Sequence, residues 1–138
     1  MECLFRGQRH DTHEWVYGCL LNNKHDMIGF YNNAYKFEIN AVIPETVGQF
    51  TGMTDKNGKK IFEGDIIRAI TLDTGSEQMA VVCFGNFIDE NNGDEYIGFY
   101  IEFDGIKTTI TQLAMEECKN RIEIIGNIYD NPELLKAE

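Results

Sequence analysis

Short alternating runs of apolar and polar residues dominate this chain. From Glu14 to Leu21 the run Glu-Trp-Val-Tyr-Gly-Cys-Leu-Leu is dense in aromatic and β-branched side chains and stops at Asn22-Asn23, a turn signal. Met27 to Tyr31 and Tyr35 to Ile43 repeat the pattern on either side of Asn32-Asn33, a pair that tolerates the left-handed backbone of a tight turn. Tyr35, Phe37 and Ile39 alternate with Lys36, Glu38 and Asn40, so this third strand has one apolar face and one wet face, and Pro44 ends it. The three strands predict a small β meander over residues 1–46.

The next stretch, Val47 to Ile61, is punctuated by Gly48, Gly52 and Gly58 and reads as a connection, with Phe50 and Met53 tucked into the core and Asp55 to Lys60 wet. Its Asn57-Gly58 pair predicts a type I′ turn. Strand patterning resumes from Ile61 to Ile70, with a bend or bulge at Gly64-Asp65. Asp73 to Glu77 is a polar turn, Met79 to Ile88 a strand, Asp89 to Glu95 an acidic loop and Tyr96 to Phe103 the antiparallel neighbour. Thr111 to Lys119 has helix formers with Leu113, Met115 and Cys118 near helical spacing, which predicts one short helix; Ile122 to Tyr129 is the last strand. The expectation is a mainly β (α+β) protein: the meander of 1–46, then an SH3-like barrel with one short helix and a tail over 47–138.

Composition narrows the setting. The 138 residues are 43% hydrophobic and 12% aromatic, enough for one core or two small ones. Apolar runs are short, as in Ala80 to Phe84, and Ile122 to Ile125 is interrupted by Glu123; both are far below the roughly 20 residues that cross a bilayer. Met1 to Asp11 lacks the apolar core of a secretory signal, so cytoplasmic residence in a host cell is expected. Cys3, Cys19, Cys83 and Cys118 are scattered without a C-x-x-C spacing and read as buried thiols. His10 and His13 flank Asp11 but read as exposed loop residues, and neither a metal nor a cofactor is expected. A net charge of −11 repels phosphate backbones and disfavours direct nucleic-acid binding.

Several ordered blocks then stand out: Phe5-Arg6-Gly7, Trp15-Val16-Tyr17-Gly18, Pro44 to Gly52, Asp55-Lys56-Asn57-Gly58-Lys59, Ile61 to Ile67, and Ile125 to Leu135. In this order they resemble the YopX family of phage and prophage proteins, with the weakest likeness from Asp73 to Thr111. The resemblance implies a C-terminal SH3-like barrel and a phage or prophage source. It implies no catalytic residues, because the family's activity is unassigned.

Candidate chemistry is sparse. Asp73-Thr74-Gly75 matches an aspartic-protease half-site, where two such aspartates in a dimer share one proton as acid and base, and Ile124-Ile125-Gly126 imitates the apolar segment downstream. The same residues read more simply as the crown of a hairpin. Asp89 to Glu95 offers oxygen ligands around Gly93 but lacks the EF-hand spacing, which favours a solvated loop. Gly48 to Lys60 lacks the Gly-Lys-Ser/Thr ending of a phosphate loop. Trp15, Tyr96 and Tyr100 are candidates for stacking on a peptide or base, with core filling the stronger reading.

The balance favours a non-enzymatic protein-interaction module, including the narrower case of an acidic DNA mimic; the alternative is a dimeric peptidase using Asp73. Trp15, Tyr17, Phe50, Asp89, Glu90, Asp94 and Glu95 are the interaction candidates. The expected partners are a host or phage protein and further copies of the chain, with no membrane.

Overall fold

Strand formation follows the alternation. The computed structural model describes residues 4–70, 75–90, 92–110 and 121–135, and divides into two compact units, Met1–Gly52 and Met53–Glu138. The division falls inside a strand, Gly48–Thr54; the boundary expected at 46/47 lies beside the 3-10 turn Pro44–Thr46. Among the described residues the helical turns are of 3-10 type, and no helix is long and apolar enough to cross a membrane. The helix expected at Thr111 to Lys119 lies outside the described residues.

The first unit holds β1 (Phe5–Gln8), β2 (Trp15–Leu20), β3 (Met27–Tyr31), β4 (Phe37–Ala41) and most of β5 (Gly48–Thr54), in the order β4-β3-β2-β1-β5. The expected meander is β2 to β4, and β3 has the bounds expected for it, Met27–Tyr31. One expectation is corrected. The segment read as a connection from Val47 is a seven-residue strand, paired with β1 at Phe5↔Gln49 and Arg6↔Gly48. Its glycines erase the two-residue period, and β1 hides its own period by burying Arg6 and Gln8. Thr46 fixes the turn between β4 and β5: its hydroxyl accepts the Gln8 N–H at 2.9 Å and donates to the Ile43 carbonyl at 2.7 Å.

The second unit holds the end of β5, then β6 (Lys60–Phe62), β7 (Asp65–Ile70), β8 (Glu77–Ile88), β9 (Glu95–Phe103), β10 (Ile106–Thr109) and β11 (Ile122–Asn127). The order β10-β9-β8-β7-β11 is a four-stranded antiparallel meander whose fifth strand returns beside the first. The first half of β8 pairs with β7 and the second half with β9, so Phe84 to Ile88 run out with Glu95 to Phe99 as a two-stranded ribbon. The core packs Ile61, Ile67, Ala80, Val82, Ile101, Ile110 and Ile122, with Met53 and Phe99 against it. The expected bend is present at Glu63-Gly64, where the Gly64 N–H donates to Val82 and its carbonyl accepts the Ile128 N–H.

Turn chemistry is redistributed. At the β5–β6 hairpin Asp55 pairs with Lys59 around a three-residue loop in which Gly58 has φ +80° and Asn57 is not at positive φ. A type I′ turn needs positive φ at both central residues, so the hairpin is the three-residue kind that closes with Gly in the left-handed region. The type I′ signature belongs to Asp104-Gly105 (φ 51° and 79°), which joins β9 to β10.

Asp55 explains the difference. Expected to be wet, it is 2% exposed. Its Oδ1 accepts the Asn57 and Lys59 N–H groups, both at 2.9 Å, and its Oδ2 accepts the Ile124 N–H at 3.0 Å. Burial alone would raise this carboxyl, but the Ile124, Lys59 and Asn57 donors and the Lys59 charge outweigh it and hold the group below its ordinary value of 3.8. Removing the carboxylate strands three donors, so Asp55→Ala should cost about 2–4 kcal/mol, read as a lower urea midpoint. A folded-state value below the unfolded one stabilises the protein above that range and is lost as pH falls through it. Asp55→Asn should therefore show a shallower loss of stability than the native chain between about pH 5 and pH 2; equal slopes would contradict the assignment.

Candidate functional site

The interaction candidates separate on burial. Phe50 is 8% exposed and belongs to the core, and Asp89 is 3% exposed. The Asp89 Oδ2 accepts the Thr109 N–H at 3.1 Å, so the first carboxylate of the acidic loop ties that loop to β10 and does not face solvent. Glu90, Asp94 and Glu95 are exposed, as the solvated-loop reading requires. Trp15 is half-buried with the Arg6 guanidinium 4.5 Å above its ring, and Tyr17 is exposed. Tyr96 and Tyr100 both lie against the buried Phe87, at centroid distances of 5.6 and 4.6 Å, so that ring already occupies the stacking position between them. Asp73 and Thr74 lie outside the described residues.

The first unit carries an apolar surface open to solvent. Alternation in β4 separates Phe37 and Ile39 from Glu38 and Asn40, the face expected to be wet, and Glu38 is exposed as expected. Phe37 and Ile39 are exposed as well, while Asn40 is buried. Asn40 accepts the Arg9 Nη1 bond at 2.9 Å and sits opposite buried Ile28, which satisfies its amide oxygen inside. The registers Cys19↔Gly29 and Gly29↔Ile39, Tyr31↔Phe37 and Met27↔Ala41 then place three rows on the outer face. They are Tyr17, Tyr31 and Phe37; Cys19, Gly29 and Ile39; Leu21, Met27 and Ala41.

Every side chain in these rows is exposed and none is charged; Tyr31 is 72% and Ile39 60% exposed. The patch is continuous because Phe37 and Leu21 close over Gly29, where an added Cβ would meet the Phe37 ring at 2.9 Å or less and Leu21 at 3.0 Å. Tyr31 and Phe37 pack edge to face at 5.1 Å. Cys19, expected to be buried, lies on this exposed face.

The second unit presents an open groove of about 690 Å³ on the outer face of β8 and β9. Cys83 lies in its floor, half-buried, and its thiol donates weakly to the Val81 carbonyl at 3.7 Å. Burial first, and the Glu102 carboxylate second, push the thiol up to about 11, with a bond to Tyr100 offsetting only part. Burial and the Cys83 charge likewise raise Tyr100, whose ring lies under the Lys107 ammonium at 5.7 Å. A thiol this basic is protonated at neutral pH, so the groove does not provide a nucleophilic cysteine. Near it, Arg68 joins Glu123 at 2.6 Å and Glu77 at 3.9 Å, an ion-pair arrangement with Lys56 that lies at the surface and fixes β7 to β11. Iodoacetamide at about pH 8 should therefore modify Cys19 at least about tenfold faster than Cys83; comparable rates in peptide mapping would show that the Cys83 thiol is not held protonated.

Comparison with known proteins agrees with the mainly β architecture. A crystal structure of protein EF1440 from Enterococcus faecalis matches over 98% of this chain and 99% of its own, with a TM-score of 0.51 and 24% identity, a likeness of fold. No curated protein matches the sequence. The sequence pattern of the YopX protein family matches residues 4–136, nearly the whole chain, and the chain belongs to the YopX family.

Proposed function

We propose that this YopX-family protein is a phage or prophage accessory protein of the host cytoplasm that acts by binding proteins, not by catalysis, and that it self-associates through the outer face of β2, β3 and β4. The observation that carries this reading is the uncharged, uncovered grid from Tyr17 to Ile39 on a chain of net charge −11. Contiguous exposed apolar patches mark interaction sites. Two acidic copies repel one another over most of their surfaces, whereas this face brings no charge to a contact, and two such faces can stack as sheets pack, about 10 Å apart. A second copy fits it better than a charged partner does.

The acidic DNA mimic is a narrower form of the binding reading, motivated by the net charge; Asp89 adds nothing to such a surface because it is buried. Direct contact with nucleic acid runs against the same charge. The alternative, a dimeric aspartic-type peptidase through Asp73, rests on an aspartate outside the described residues and is not carried further.

Sedimentation velocity over a concentration series tests the proposal. The native chain should show a concentration-dependent dimer, and Phe37→Lys/Ile39→Lys, with unchanged circular dichroism, should weaken it at least about 100-fold, since a buried unpaired charge costs several kcal/mol. A native chain that stays monomeric at about 100 μM, far above the micromolar range of a specific dimer, would overturn self-association.

A further inference from the structure

The groove on β8 and β9 has a composition that selects a partner. Its floor is apolar: Met79, Val81, Cys83 and Phe103 from the strands, with Ile128 and Leu135 from the C-terminal segment. Its charged lining is acidic only, from Glu77, Glu102 and Asp104. Glu77 has Arg68 at 3.9 Å. Among the described residues Glu102 and Asp104 have no ion pair. Lys107, opposite Glu102 in the β9–β10 register, lies over the Tyr100 ring.

We propose that this groove binds a short segment of another protein in which an aliphatic side chain is flanked by arginine or lysine, the aliphatic group entering the floor and the cations meeting Glu102 and Asp104. The inference rests on the reading that the protein acts by binding, and names a second surface with a different partner chemistry. Charge complementarity decides the class. A segment bearing carboxylates would place like charges beside Glu102 and Asp104, while a purely apolar one would leave these carboxylates partly desolvated without a counter-charge. A guanidinium meets a carboxylate through two parallel N–H donors, so arginine suits the rim better than lysine. Glu102 lies near the end of β9 and Asp104 opens the β9–β10 turn, so both carboxylates sit at one end of the groove.

The test uses a fluorescein-labelled octapeptide of alternating Leu and Arg, with Leu-Glu and Gly-Arg octapeptides as controls, read by anisotropy and by ¹⁵N chemical-shift changes on the full chain. Glu102→Gln/Asp104→Asn removes the rim charges with little change of shape and keeps a residue suited to positive φ at 104. Glu90→Gln/Glu95→Gln removes the same charge from the acidic loop. The Leu-Arg peptide should bind with shifts centred on Val81, Cys83, Glu102 and Phe103. Its affinity should fall about tenfold in the rim variant and less than about twofold in the loop variant, and Gly-Arg should bind about tenfold more weakly.

Equal losses in the two variants, equal binding of Gly-Arg or Leu-Glu, shifts centred elsewhere, or no binding at about 1 mM would overturn the proposal. If the double rim variant unfolds, Asp104→Asn alone, in an exposed turn, should still weaken Leu-Arg binding, and an unchanged affinity would count against the groove. Sedimentation and peptide binding of the native chain separate the two surfaces. A native dimer that binds no Leu-Arg peptide rejects the groove alone, and a native chain that binds the peptide but stays monomeric rejects the dimer face alone.

Discussion

A single buried carboxylate sets the geometry of the second unit. Asp55 holds two donors of its own hairpin and one from Ile124, 69 positions away, so the turn between β5 and β6 and the closing strand share one acceptor group. The Lys56 N–H donates to the Ile122 carbonyl beside it and adds a second backbone tie. Three amide donors around one carboxylate form a charge-assisted arrangement that water cannot replace once the site is closed. β11 thereby takes its register next to β7, with the irregularity between Ile124 and Gly126 that follows the tie. With β11 placed, Ile122 enters the core beside Ile67 and Ile61.

The two candidate surfaces arise from what each fold leaves uncovered. In the first unit the sheet has apolar residues on both faces; Ile28 and Val42 lie on the covered one, and the grid on the other. In the second unit the core takes one face of β8 through Ala80 and Val82, and the alternate residues Met79, Val81 and Cys83 become the groove floor. Both surfaces are therefore consequences of the two-residue period in strands whose opposite faces are each apolar. The thiol in the groove is held protonated, which suits recognition of a partner and gives covalent chemistry no foothold at Cys83.

Legibility in the sequence followed the local physics. β3 was readable as Met27–Tyr31 because the run is apolar and aromatic without interruption by a charge and has an Asn pair on each side. β1 and β5 were not, because Arg6, Gln8, Gly48 and Gly52 interrupt the apolar period, and Arg6 and Gln8 are buried by partners distant in sequence, Trp15 and Thr46. β10 was hidden because Ile106–Thr109 is short and its Asp104-Gly105 turn leaves almost no loop to announce it. Asp55 looked wet among Lys56, Asn57 and Lys59; its burial depends on Ile124, and no local pattern encodes a contact across that distance. Of the grid residues, Tyr17 alone was singled out in advance as an interaction candidate. Periodicity tells which residues share a face, as for Phe37 and Ile39, but not which face another element covers.

Solvent access to the grid at different protein concentrations tests the central claim most directly. With methyl-labelled Met27 and Ile39 and an inert soluble paramagnetic agent, the account predicts strong attenuation of both signals in dilute protein and protection in concentrated protein. Ile88 and Ile97, also exposed but on the β8–β9 ribbon, should stay attenuated throughout. Equal attenuation of all four residues at every concentration would contradict the claim that the face of β2, β3 and β4 is a protein-binding surface.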